Sequence, residues 1–164
     1  IYPLNRTVGG VNIDALMPGG RTRDYAMTGG DKSELTDLFR AALSSRGLVE
    51  SAESGPEKGG YYRSDHFSMA KRGVPMFAFG RGLDLVVGGK AAGKAARDEY
   101  TAKHYHQPSD EYSPDWDWSG IMQDVELFYA LGRELADSSA WPNWRAGDEF
   151  RNVRDKSCVG EGGC

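Results

Sequence analysis

Cysteine is almost missing from this chain: among 164 residues only Cys158 and Cys164 carry a thiol, both close to the end beside Gly160, Gly162 and Gly163. Their spacing matches neither a zinc knuckle nor a thioredoxin-type pair, so they read as part of a frayed tail and say nothing about compartment. A basic excess is missing too. The 20 Lys and Arg are outnumbered by 24 Asp and Glu, for a formal charge of -4, and they are scattered rather than gathered into a stripe, which argues against a nucleic-acid partner. No apolar run approaches the roughly 18 residues of a membrane span, and Ile1-Tyr2-Pro3-Leu4-Asn5-Arg6 has none of the marks of a signal peptide. There is also no initiator Met, and residues 8–16 already read as a buried strand, so an N-terminal portion is expected to lie upstream. No internal repeat is visible. Histidine numbers only three, so any metal site has few positions to draw on.

A chain of this length suits one domain that buries roughly 70% of its unfolded surface. Residues 8–16 are apolar and partly β-branched and stop at Pro18-Gly19-Gly20, which places Asp14 near the carboxyl end of a strand. Residues 23–28 form a second candidate strand. Leu35, Leu38, Phe39, Ala42 and Leu43 then recur at helical spacing, with Asp31 or Ser33 as cap and Gly47 as stop. Residues 48–52 suit a third strand, residues 61–73 a loop passing into a short helix capped by Ser64 or Asp65 and closed by Gly73, and residues 74–80 the most apolar strand. Residues 81–103 read as a loop with one helical stretch. Asp117 or Ser119 caps a last amphipathic helix carrying Ile121, Val125, Phe128, Leu131 and Leu135. Strands alternating with helices argue for a largely parallel sheet covered on both faces.

The most informative stretch is Tyr105-His106-Gln107-Pro108-Ser109-Asp110-Glu111, a histidine beside a phenol before a proline turn and two carboxylates. Zinc accepts neutral imidazole, and a catalytic zinc keeps one position open. The bland reading is a solvated surface loop, and for Asp14 it is a turn or helix cap. In open α/β sheets ligands collect at the carboxyl ends of strands, so Asp14 and His106 can converge there. His104 and His106 form a His-x-His pair, discounted as a separate site because no third ligand joins it. His66 reads as a packing or hydrogen-bonding residue, Asp65 as a helix cap, and Asp110 and Glu111 as groups that orient the loop. Trp116, Trp118, Trp141 and Trp144 read as packing at the core edge rather than a carbohydrate platform.

Three segments now stand together: Asn12-Ile13-Asp14; Tyr62-Arg63-Ser64-Asp65-His66-Phe67 with Lys71-Arg72-Gly73-Val74-Pro75 behind it; and the Tyr105-His106 loop. Their order and spacing resemble the carboxyl-terminal half of the co-catalytic zinc aminopeptidase family, the group of aminopeptidase Y and bacterial leucyl aminopeptidases, over residues 5–150. The resemblance implies two zinc ions, with Asp14 on one and His106 on the other. It implies that Tyr105 stabilises the oxyanion as a catalytic residue and that Arg63 contacts substrate near its terminal amine. The pattern also departs from the family. Members bring a His-x-Asp segment and a Glu-Glu pair from upstream, and neither occurs in this sequence.

The expected fold is therefore a three-layer α/β/α sandwich with a mainly parallel sheet, of which residues 1–150 form the carboxyl-terminal half of a zinc peptidase catalytic domain and residues 151–164 a polar flexible tail. The expected activity is that of a metallopeptidase, an aminopeptidase-like exopeptidase acting on peptides, with the isolated chain incomplete or inactive. The alternatives are a catalytically silent binding module on the same fold and a related zinc enzyme that cyclises or transfers acyl groups. The expected partners are a peptide substrate and either the missing N-terminal half or a second copy covering the open sheet edge. The sequence assigns no compartment, although the family it resembles is often secreted or periplasmic.

Overall fold

The computed structural model describes residues 2–157, so the reading of Cys158 and Cys164 as a frayed tail falls outside the described residues. Four short strands form one sheet: β1 (Gly10–Asn12), β2 (Asp24–Met27), β3 (Val49–Ser51) and β4 (Met76–Arg81), in the order β1-β4-β2-β3. β1 runs parallel to β4, β2 parallel to β3, and β2 antiparallel to β4. The chain is thus α/β with a mostly parallel sheet, and β4, the longest and most apolar strand, sits inside it.

The alternation of β4 sorts its side chains between two layers. Phe77 and Phe79 point to one face, where Tyr25, Met27, Phe39, Leu43, Leu127, Phe128 and Leu131 complete the main core. Two helices supply that layer, α1 (Leu35–Ser44) and α5 (Ser119–Asp137). Phe79 is its centre, stacked on Phe128 at 4.2 Å and tilted against Phe39 at 4.8 Å. An aromatic ring so placed is worth about 3–5 kcal/mol relative to alanine. On the opposite face Met76 meets a smaller cluster of Tyr61, Ala70, Trp144 and Phe150. This layer draws on two one-turn helices, α2 (Gly60–Arg63) and α3 (Phe67–Ala70), and on the residues leading into α6 (Arg151–Ser157). One further helix, α4 (Gly89–Lys103), precedes the histidine loop.

Several local expectations change on contact with tertiary structure. The first strand is Gly10–Asn12 alone, so Asp14 stands two residues past its end. Neither Asp31 nor Ser33 caps α1 by its side chain; Asp31 instead accepts hydrogen bonds from Thr36 (2.6 Å), Arg40 (2.9 Å) and Arg145 (2.9 Å). Those partners hold its carboxyl down to about 2, against an opposing push from burial. The short helix expected behind Ser64 or Asp65 forms as α3, but the segment before it, expected as a loop, holds the one-turn helix α2, and Ser64 donates back to the Gly60 carbonyl at 3.0 Å instead of capping forward. Gly47 and Gly73 do end their helices with positive φ, 66° and 88°. Of the four tryptophans only Trp144 is fully buried, with its Nε1–H donating to the Gly73 carbonyl at 2.8 Å; Trp118 and Trp141 are exposed. Polar residues after 150 are helical as far as Ser157, and Arg154 is buried with Nη1 donating to the carbonyls of Leu4 and Thr7.

Candidate active site

Because β1 and β4 are parallel, their carboxyl ends open on one edge, and the segments leaving them border a cleft of about 710 Å³. Asp14 comes from the segment after β1, Arg81 from the end of β4, Arg97 and His104 from α4 and its end, and Tyr105 and His106 from the following loop. Asp14, Tyr105 and His106 are all exposed. Arg63 is exposed but is not part of this lining, whereas its neighbour Ser64 is.

The histidine loop is built by hydrogen bonds to the last turn of α4. The N–H groups of His104 and Tyr105 both donate to the Tyr100 carbonyl, at 2.8 and 3.0 Å. Ser109 Oγ donates to the Lys103 carbonyl at 2.6 Å, and the Tyr100 hydroxyl to Asp110 at 2.8 Å. His104 Nδ1 lies 3.0 Å from the Ser109 carbonyl, which fixes Nδ1 as the protonated nitrogen and gives this histidine a loop-closing part. Within this frame His106 has φ 57°, a left-handed value that no other described residue except glycine adopts. Strain of this kind persists where surrounding structure enforces it and concentrates at functional sites. The turn also lays the Tyr105 and His106 rings against each other, 3.9 Å apart and 19° from parallel.

The floor of the cleft is a buried charge network that the sequence reading did not single out. Arg81 Nε donates to Asp124 at 3.0 Å, and the other carboxylate oxygen accepts the Tyr25 hydroxyl at 2.8 Å. The pair is nearly closed to solvent, with side chains 10% and 6% exposed. Burial raises the Asp124 pKa, opposed by Arg81 and by the Tyr25 hydrogen bond. Tyr25 is pushed well above the usual phenol range, first by burial and then by Asp124. The same guanidinium reaches the segment that carries Asp14: its Nη1 donates to the Gly20 carbonyl (2.9 Å) and its Nη2 to that of Met17. From the other side, Gly120 N–H donates to the Gly19 carbonyl at 3.0 Å and Gly19 N–H to that of Asp117 at 2.8 Å. Gly120 has to be glycine here, because a Cβ would lie 2.4 Å from the Gly19 oxygen. Gln123 completes the clamp with paired hydrogen bonds to the backbone of Thr22, at 2.9 and 3.0 Å. One signal for the network was available. A helix whose buried face includes Ile121, Leu127, Phe128 and Leu131 places Asp124 on that face, and a carboxylate there needs a partner.

Oxygen from Asp14 and nitrogen from His106 are donors that zinc accepts, and both open onto the same cleft. The donor types suit the metal, but no three His, Cys, Asp or Glu side chains among the described residues converge as a metal-binding group. Glu99 is the glutamate in the lining, and Lys103, 2.9 Å away, holds its pKa below the ordinary value.

A mostly parallel α/β sheet with an acid and an imidazole lining one cleft at its carboxyl edge has the layout in which such folds bind ligands, and the class, a metallopeptidase-type hydrolase, comes from the family comparison. The family model described as Peptidase family M28 matches residues 2–130, and the chain belongs to that family, whose members are zinc-dependent peptidases. No curated protein and no solved structure matches the chain. No helix among the described residues is long and apolar enough to cross a membrane.

Proposed function

We propose that this chain carries the carboxyl-terminal half of an exopeptidase site that removes amino-terminal residues from peptides, with two zinc ions in the complete centre. The observation that supports it most is that Asp14 and His106 both line one cleft, with Tyr105 stacked beside the histidine. Asp14 would hold one ion and His106 the other. Zinc, when bound, supplies polarisation of a carbonyl and a lowered pKa for bound water. Tyr105 would place its hydroxyl toward the oxygen of the scissile carbonyl and donate a hydrogen bond as charge develops there. Arg63 would act near the substrate amine only if the complete cleft extends past Ser64, the nearest lining residue in sequence. Glu99 is a poor candidate for the proton acceptor, being ion-paired with Lys103, so the reading leaves that task and the remaining ligands to the His-x-Asp and Glu-Glu segments expected upstream. Those segments, or a second copy of the chain, would also cover the edge of β1, which pairs only with β4 among the described strands.

The test is zinc content and hydrolysis of aminoacyl substrates by the full-length protein, before and after His106→Ala. Loss of zinc together with most turnover is expected; undiminished turnover in the variant refutes the assignment. A second reading, a binding module that kept the sheet without the chemistry, is favoured by the absence of a three-ligand cluster among the described residues. Metal analysis separates the two, because a silent module holds no stoichiometric zinc.

A further inference from the structure

The wall of the cleft carries two guanidinium groups in unequal circumstances. Arg81 is matched by Asp124. Arg97 is not, and its position is built with care. Gly93, one turn earlier on the same face of α4, is buried so close to the segment after β4 that a Cβ would lie 2.0 Å from the Leu83 carbonyl oxygen. This approach seats the helix, and Arg97 then donates from Nη2 to the Arg81 carbonyl at 2.8 Å, which fixes the guanidinium against the wall of the cleft. No carboxylate among the described residues forms an ion pair with it. Burial and the like charge of Arg81 both lower its pKa; Asp24 pulls the other way, but an oxygen of that carboxylate already accepts the Asp84 N–H at 2.8 Å.

A half-buried guanidinium, held by one hydrogen bond and lining an open cavity, is suited to receive a planar carboxylate through its other N–H groups. We propose that Arg97 binds a carboxylate of the bound peptide, so that the site favours substrates carrying that negative charge over neutral ones. The inference rests on the peptidase reading and adds a substrate class to it. The charge has two sources, the α-carboxylate of a short peptide or an acidic side chain, and both present the same group.

The experiment compares kcat/KM of the zinc-loaded full-length protein for three tripeptides: Leu-Gly-Gly as the free acid, the same peptide as its amide, and Leu-Glu-Gly amide. At least one carboxylate-bearing peptide should exceed the neutral amide by about tenfold or more, the scale of a charge-assisted hydrogen bond, and which one does so identifies the source. Arg97→Gln should bring that ratio toward one, and Arg97→Lys should retain part of it. A wild-type ratio near one overturns the proposal, as does a ratio that survives Arg97→Gln. If none of the three is cleaved, the peptidase reading fails by itself, and Arg97 is judged by NMR titration of the same protein with triglycine acid and triglycine amide. Acid-selective binding that disappears in Arg97→Gln upholds the carboxylate site; equal binding of acid and amide ends it.

Discussion

Replacing Arg81 with methionine keeps much of the side-chain volume and removes the charge, which makes it the sharpest probe of how Asp14 is held. Asp124 would be left ionised and buried, with only the Tyr25 hydroxyl to satisfy it. Breaking a buried pair by removing one partner costs about 3–5 kcal/mol, and for a chain of this size that lowers Tm by roughly 6–20 °C. Asp124→Asn is gentler, because the amide still accepts from Tyr25 and the guanidinium keeps the carbonyls of Met17 and Gly20; about 1–3 kcal/mol is expected. The double variant should lose less than the sum of the two, since the pair is broken only once. The pH dependence supplies an independent sign. Without Arg81 a cause that lowers the Asp124 pKa is gone, so the folded-state value rises further above the unfolded one, near 3.9. The folded variant then binds a proton that the unfolded chain releases, and its deficit, complete above the raised pKa, shrinks as pH falls through it toward about 3.9. Urea unfolding of the four proteins at several pH values reads all of this. A loss below about 1 kcal/mol for Arg81→Met, or one independent of pH, refutes the buried pair as the anchor of the cleft floor.

Tyr105→Phe should lower turnover while zinc content stays intact, measured side by side by kinetics and metal analysis; equal loss of zinc would make the phenol structural. Gly120→Ala should destabilise by about 1–3 kcal/mol or more in chemical denaturation, because its Cβ meets the Gly19 oxygen and the Arg81 guanidinium where neither can retreat freely. His66 is buried against Tyr61, with neither ring nitrogen hydrogen-bonded among the described residues, and burial lowers its pKa against the opposing pull of the Tyr61 backbone and Asp65. Its folded-state pKa lies below the unfolded value near 6.5, so the stability it permits at neutral pH drains away as pH falls from about 6.5 toward the folded value. His66→Phe should flatten that part of the profile, and an unchanged acid limb would show that other groups set it.

The candidate site was legible where its information is local. His106 and its turn lie in one seven-residue stretch, and Asp14 follows an apolar segment that had to be a strand; each chemistry could be read from neighbours in sequence. Asp14 was nonetheless placed at the end of a strand that proves to be three residues long, because apolar character persists through Ile13 and Ala15 after the ladder has stopped. The cap expected from Asp31 failed for a different reason: Arg145, more than a hundred positions away, competes for the same carboxylate, and tertiary ion pairing outweighed a local preference. Arg81 and Arg97 were passed over because nothing near them in sequence says what they touch. One is fixed by Asp124 and by a loop some sixty positions upstream, the other by a helix seating that depends on Gly93 having no side chain. The periodicity of α5 held the missing clue. Taking Val125 as a core position left Asp124 outside, whereas Val125 is exposed and Asp124 is buried. A shift of one residue on that helix turns a solvated acid into the anchor of Arg81, and through Arg81 into a support for the loop that presents Asp14. If Asp14 holds zinc as proposed, it needs such a backing, because donor position must hold to a fraction of an ångström while the loop itself has only three residues of strand behind it.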